Sequence, residues 1–244
     1  MNGSVNFLMI IYCFTNFTPA KILGMCGRYS FAVEDALILE RFGLRVRTAI
    51  YKARYNCAPS QKLAVISSET PGELGFFRWG LIPSWAKEAA IGNKLINARA
   101  ETLAEKPSFR NAFRNQRCLV PATGFFEWQR NADKTPYCIR LKNGDPFCFA
   151  GLWERWINPG GEIIHSYTII TTQPNSLMEK IHDRMPAIIP REEEQHWLSL
   201  KPDPLLADLL KPYPADRMEA FPVSKLVNSP GNDTPEILEP AGLF

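Results

Sequence analysis

The sequence predicts an α+β fold built on a curled, mainly antiparallel sheet, with short helices at its periphery. Segments rich in branched and aromatic residues recur at close spacing (117–120, 125–129, 137–141 and 147–153), separated by Gly, Asn, Asp or Pro. The helical patterns are short and inserted among these strands rather than alternating with them, which argues against a parallel βαβ layout. Twenty prolines against fifteen glycines in 244 residues imply stiff turns and short elements.

Each element has a local cause. Residues 32–42 read as a short helix with apolar residues at Val33, Ala36, Leu37 and Phe42, and Gly43 supplies a stop. Residues 63–67 and 74–79 read as strands with a turn at Pro71-Gly72 between them. Residues 98–105 and 108–115 read as short helices around Pro107. After the four strands named above, 163–171 is the longest strand candidate. Residues 175–181 read as a helix. Another spans 191–200, opened by Pro190 and carrying Glu192, Glu193 and Glu194 where acids face the positive end of the helix dipole.

Composition is that of a globular protein, 45% hydrophobic and 22% charged, and the length fits one domain with a substantial core. No internal repeat or low-complexity tract is present. The net charge of +3 is unevenly spread: residues 94–142 hold ten Lys/Arg against four acids, and residues 191–244 hold five against ten. A basic centre suits a polyanionic ligand, although a solvated surface has the same composition. Six cysteines (13, 26, 57, 118, 138 and 148) contain no CxxC pair, and His165, His182 and His196 are not spaced as ligands with them, so no metal site is expected. Cys138 and Cys148 flank the turn at 142–145 and can face each other on a hairpin; with Cys57 and Cys118 they read as small apolar core residues.

Residues 1–24 read as a leader or an upstream start, and residues 25–244 as the domain. The apolar stretch 7–14 follows no basic residue and is too short to span a bilayer. Residues 22–26 faintly resemble a lipoprotein cleavage box, but Met25 is bulky where a small residue is required. Initiation at Met25, followed by loss of the methionine, is the simpler route; self-cleavage of the leader is another. The expected location is cytoplasmic and nucleoid-associated.

The hexapeptide Met25-Cys26-Gly27-Arg28-Tyr29-Ser30 carries the most chemistry. With Cys26 first in the chain, an amine of pKa about 8 and a thiol of pKa about 8.5 share one carbon pair. Such a 1,2-aminothiol condenses with an aldehyde to an imine, and the thiol then closes a thiazolidine ring. The plainer reading is a half-buried cysteine opening the first strand. Three further motifs weigh against it: residues 95–102 (LINARAET), 124–128 (GFFEW) and 181–186 (IHDRMP). Together with the hexapeptide, their order and spacing closely resemble the SRAP family, the SOS-response-associated peptidases or abasic-site processing proteins. The resemblance runs from Met25 to about Val227.

The resemblance implies a bifurcated sheet closed into a pseudo-barrel. It implies a sensor of abasic sites in single-stranded DNA that forms a thiazolidine crosslink through Cys26, with limited lyase activity and no metal or organic cofactor. Expected partners are abasic single-stranded DNA and replication-fork proteins, with no membrane and a monomeric state. Glu127 matches the family's catalytic glutamate, and its neighbours Phe126 and Trp128 would raise its pKa toward neutrality; taken alone, a strand glutamate belongs on a solvated face. His182 would protonate the sugar ring oxygen, though a histidine there also serves as a helix C-terminal cap. Asn97 would orient the sugar or the cysteine amine; its plainer role is a turn asparagine. Arg28, Arg99 and Arg184 each sit within two residues of a catalytic candidate and are expected on phosphates. Asn56 and Pro59 would approach nucleotides, Trp85 would stack on a base, and Thr171 with Thr172 would lie near a phosphate. Some relatives carry a second tryptophan after Trp85, where this chain has Ala86. Tryptophans 79, 128, 153 and 156 are expected in the core. The rival readings are a cysteine peptidase using Cys26, His182 and Asn97, a non-catalytic nucleic-acid-binding module, and a secreted lipoprotein.

Overall fold

The run at 147–157 is the spine of the molecule. In the computed structural model, which describes residues 26–44, 51–199, 201 and 204–242, it is one eleven-residue strand, exposed only at Arg155 and Ile157. The elements in chain order are β1 (Tyr29–Phe31), α1 (Asp35–Phe42), β2 (Arg54–Cys57), β3 (Lys62–Ser67), β4 (Gly75–Trp79), β5 (Asn97–Arg99), α2 (Arg110–Asn115), β6 (Arg117–Ala122), β7 (Gly124–Trp128), β8 (Pro136–Leu141), β9 (Phe147–Ile157), β10 (Ile163–Thr172), β11 (Met185–Pro186), β12 (Ile188–Ile189), α3 (Glu194–Leu198) and β13 (Met218–Pro222).

Strands β10, β4, β3, β6 and β9 pair in that order, and β9 pairs back onto β10, closing a five-stranded barrel. Closure satisfies strand edges that would otherwise stay open. Each pairing in the ring is antiparallel except β10 with β4. Past Tyr167, β10 leaves β4 and pairs in parallel with β5 through Ile169, Ile170 and Thr171, so the sheet forks there. A second, antiparallel sheet, ordered β13–β8–β7–β1–β2, packs beside the barrel. The rings of Tyr29, Trp79, Phe125, Phe149 and Tyr167 fill the space between, and the two tyrosine hydroxyls hydrogen-bond at 2.9 Å. A smaller cluster of Phe126, Cys138, Val223, Val227 and Ile237 seals the outer face of the second sheet.

This is the α+β class that the sequence predicts, and the barrel and fork match what the resemblance implies. Helix α1 ends as expected: Gly43 takes the left-handed conformation (φ 63°) and its N–H donates to Leu39 O. Other elements differ. Residues 98–105 form no α-helix; Asn97–Arg99 is drawn into strand pairing with β10, and a single 3-10 turn follows. Residues 175–181 hold only a 3-10 turn, because the Asn175 carboxamide accepts from Leu177 N and Met178 N and fixes an Asx turn. Cys138 and Cys148 do not face each other: β8 and β9 belong to different sheets, where Cys138 lies opposite Phe126 and Phe221, and Cys148 opposite Pro121 and Ile189. Of the four tryptophans expected in the core, Trp128 is only half-buried and donates to Asn228 Oδ1 at 2.8 Å. The expected leader 1–24, with Cys13, and Met25 lie outside the described residues. Among the described residues no helix is long and apolar enough to cross a membrane.

Candidate active site

Four sequence-distant segments converge beside the fork. Cys26 enters just ahead of β1, which pairs with β7, the strand carrying Glu127. Asn97 opens β5, and His182 lies in the turn between β10 and β11. All four side chains are buried, with Cys26 and Glu127 each only 3% exposed.

Asn97 Nδ2 donates to the Cys26 carbonyl at 3.0 Å, while its Oδ1 is buried with no partner among the described residues. The Glu127 carboxyl faces the Cys26 thiol. Burial pushes Glu127 up to about 8, against lesser downward pulls from the Cys26 and Trp128 hydrogen bonds and from Arg130. Burial likewise pushes the Cys26 thiol well above its ordinary range, with the charge and hydrogen bond of Glu127 adding to the rise. Near neutral pH both groups therefore hold their protons, and the thiol is latent. Glu127 Oε1 is a second buried acceptor without a partner among the described residues.

His182 is lowered by burial first and by Arg130 second. Its Nδ1 accepts from Arg184 N at 3.2 Å and lies 3.3 Å from both Arg184 O and Asp183 Oδ1; its Nε2 lies 3.4 Å from Arg130 Nη2. Arg130 and Asp183 are paired at 2.5 Å. This ion pair and His182 border a cleft of about 390 Å³.

The expected nucleotide-facing residues occupy different situations. Arg184 is buried and forks onto Glu101 at 2.6 and 2.9 Å, with a further bond to Thr171 O at 2.6 Å. That guanidinium holds the Glu101 carboxyl below its usual range. Thr171 is buried, its hydroxyl near Ala98 O, and Thr172 is buried beside it. Arg28 donates to Asn56 Oδ1 at 2.8 Å and to the carbonyls of Val227 and Asn228 at 2.6 and 3.1 Å. Asn56 is fully buried and donates to Val227, Ser229 and Asn232 carbonyls. Pro59 is half-buried. Arg99 and Trp85 are exposed, the latter at 58%. The Trp85 loop is held from beneath: Ser166 Oγ accepts from Ile82 N at 2.8 Å, Trp156 donates to Ala86 O at 2.7 Å, and Glu154 bonds Ser84.

Sequence reasoning missed Arg130, Asp183 and Glu101. Arg130 follows Glu127 by three positions and Asp183 follows His182 directly, so proximity to the motifs was the available signal. Among the described residues no group of three His, Cys, Asp or Glu gathers as a metal site would require.

The chain is similar to known proteins. The chain is 51% identical over 223 residues to the abasic site processing protein YoqW of Bacillus subtilis (strain 168), covering 88% of this chain and 99% of that one. It is 35% identical over 221 residues to the abasic site processing protein HMCES of Xenopus tropicalis, covering 77% of this chain and 66% of that one. A crystal structure of a protein from Bacteroides thetaiotaomicron superposes with a TM-score of 0.82 at 35% identity, covering 88% of this chain and all of that one. The family model described as SOS response associated peptidase (SRAP) matches residues 25–230, and the chain belongs to that family.

Proposed function

We propose that this protein processes abasic sites in single-stranded DNA by forming a thiazolidine crosslink through Cys26. The observation that carries the reading is the buried thiol–carboxyl pair of Cys26 and Glu127, with two unpartnered acceptors, Asn97 Oδ1 and Glu127 Oε1, in the residues around it. An α-amine on Cys26 would supply the N–H donors that these acceptors lack.

The reaction balances as aldehyde plus aminothiol giving thiazolidine plus water. The Cys26 amine adds to the sugar C1′ aldehyde, giving a carbinolamine. Glu127, protonated near neutrality, gives its proton to the departing hydroxyl, which leaves as water. The carboxylate that remains takes the thiol proton as sulfur adds to the imine carbon, restoring the acid. A pKa of about 8 suits one group to both transfers. Before that, His182 protonates the ring oxygen of the closed sugar. Phosphate contacts fall to Arg28, Arg99 and Arg184, Asn56 sets Arg28 in place, and Trp85 stacks on a base with Pro59, Thr171 and Thr172 lining the path. Limited strand cleavage proceeds from the imine. The chemistry requires that residues 1–25 be absent from the working protein, through initiation at Met25 or self-cleavage, and intact mass of the natively expressed protein reads this directly.

The peptidase alternative would pair Cys26 with His182. The ring's hydrogen-bond partners are instead Arg130 and Arg184, and the neighbour of the thiol is a carboxyl that raises its pKa rather than a base that lowers it. This favours the aminothiol reading. The test uses an oligonucleotide whose single uracil has been converted to an abasic site. Wild type is expected to give a heat-stable adduct, whereas Cys26→Ala, which keeps an N-terminal amine, gives only an adduct that borohydride must trap. A heat-stable adduct with the alanine variant would sink the proposal.

A further inference from the structure

Arg130 has no task in the chemistry above, yet its position is specific. It follows β7 by two residues, its backbone N–H donates to Ile181 O at 3.3 Å, and its guanidinium reaches over the His182-Asp183 turn. One nitrogen, Nη2, lies 2.5 Å from Asp183 Oδ1 and 3.4 Å from His182 Nε2. The two ion-pair side chains are more than half exposed, whereas the imidazole is 5% exposed. All three line the cleft, together with Asn131 and Lys180.

A guanidinium offers only N–H donors and keeps its charge. Its charge, 3.4 Å from Nε2, opposes a second proton on the ring. Nδ1 accepts from Arg184 N at 3.2 Å, so protonating it gives up that bond, with Asp183 Oδ1 and Arg184 O, each at 3.3 Å, placed to take the new one. With Arg130 docked, His182 is held neutral, and a neutral imidazole has no proton acidic enough to give. Opening a closed deoxyribose needs such a proton on O4′ as the C1′–O4′ bond breaks and the anomeric hydroxyl loses its own proton to water. The docked arrangement is thus the wrong one for catalysis.

We propose that Arg130 is a positioning residue that keeps His182 in its neutral form until a DNA phosphate enters the cleft and draws the guanidinium away. Asp183 remains at Nδ1, and the ring takes a second proton from solvent to become the imidazolium. The inference rests on the abasic-site reading. A phosphate presents two oxygens to the guanidinium fork, and an exposed arginine–carboxylate pair is a weak competitor. The other charges around the ring do not substitute for this switch. The Arg184 guanidinium is engaged by Glu101, Glu127 feels the same ion pair as the imidazole does, and Glu179 and Lys180 oppose each other in sign on the cleft wall.

The experiment follows the His182 ring proton by NMR titration in the full protein, alone and with an oligonucleotide carrying a tetrahydrofuran abasic analogue, which binds but holds no aldehyde. In the free protein, Arg130→Gln is expected to raise the His182 midpoint by about half a pH unit or more, and Asp183→Asn to lower it. The analogue DNA is expected to raise the wild-type midpoint to the Arg130→Gln value and to move Arg130→Gln much less. Arg130→Gln should also reduce the salt slope of single-strand binding by about 0.7. Equal midpoints in wild type and Arg130→Gln, or equal responses of both to the analogue, overturn the switch. Crosslinking of wild type to a true abasic oligonucleotide runs alongside: its absence counts against the abasic-site reading, while the analogue titration, which involves no crosslink, still decides the role of Arg130.

Discussion

Glu127 and Cys26 show how a strand residue escapes the usual alternation. Both faces of β7 are covered, since Phe126 packs under the C-terminal segment and Phe125 packs in the core between the barrel and the second sheet, the side that Glu127 shares. A glutamate there cannot reach water, and its flanking aromatics announced that much in the sequence. They did not announce Arg130 and Asp183, because those side chains meet the site only through a turn placed by tertiary packing. Two expectations follow from a carboxyl held near 8. On the proposed mechanism, the crosslinking rate at saturating DNA should fall above pH 8 as Glu127 loses its proton, and this limb should be missing in Glu127→Gln, which should be slower by about 10²–10⁴-fold. Stability moves in the same window. The folded carboxyl keeps its proton well above the unfolded pKa of about 4.3, so the folded state is penalised as pH rises from about 5 to 8. Glu127→Gln removes that penalty, which reaches on the order of 5 kcal/mol above pH 8. Its Tm should exceed that of wild type at pH 9 by much more than at pH 5, as differential scanning calorimetry would record.

At the scale of elements, the strands that sequence patterns missed are those whose partners are remote or whose pattern is short. β1 has three residues and pairs with β2 and β7; β13 pairs with β8 some eighty residues away. β2 is locked by the C-terminal segment: the Asp233 carboxylate accepts from Tyr55 N at 2.6 Å, Asn56 N at 2.8 Å and Arg54 Nε at 2.5 Å. No local pattern in residues 54–57 contains that information. By contrast, α1 and the long apolar strands β9 and β10 were legible, because their burial depends on runs within themselves. Asn56 sits at the centre of the clasp with its side chain fully used. Replacing it with alanine removes one acceptor from the Arg28 guanidinium and a donor from the carbonyls of Val227, Ser229 and Asn232. The expected cost is about 1–3 kcal/mol in urea unfolding. DNA affinity should also weaken, through the loosened Arg28, under conditions where the variant is still folded.

Across the whole molecule, the basic centre seen in the charge count does not become one surface. Arg117 is buried, its guanidinium bonded to the carbonyls of Trp197, Phe113, Arg114 and Ser199. Arg140 pairs with Glu219 of the acidic C-terminal region at 2.7 Å, as Arg54 does with Asp233. A composition tally cannot separate a core arginine from a solvated one; only the fold assigns them. Among the residues expected to face nucleotides, the exposed ones are Arg99, on β5, and Trp85, on a loop that β9 and β10 brace from below. Gly80 opens that loop at φ 119° against Gly92, a contact at which an added Cβ would meet Gly92 O at 2.5 Å, so the loop's entry is fixed as well. A braced tryptophan loses little freedom on stacking and should contribute about 1–3 kcal/mol to single-strand affinity. Arg99→Ala should lower the slope of log K against log salt by about 0.7, the single-strand value per phosphate contact, whereas Arg140→Ala should leave it unchanged. Trp85→Ala should weaken binding at every salt concentration without altering the slope. Fluorescence anisotropy across a salt series measures all three, and equal slope changes for Arg99→Ala and Arg140→Ala would show that net charge, not placement, governs binding.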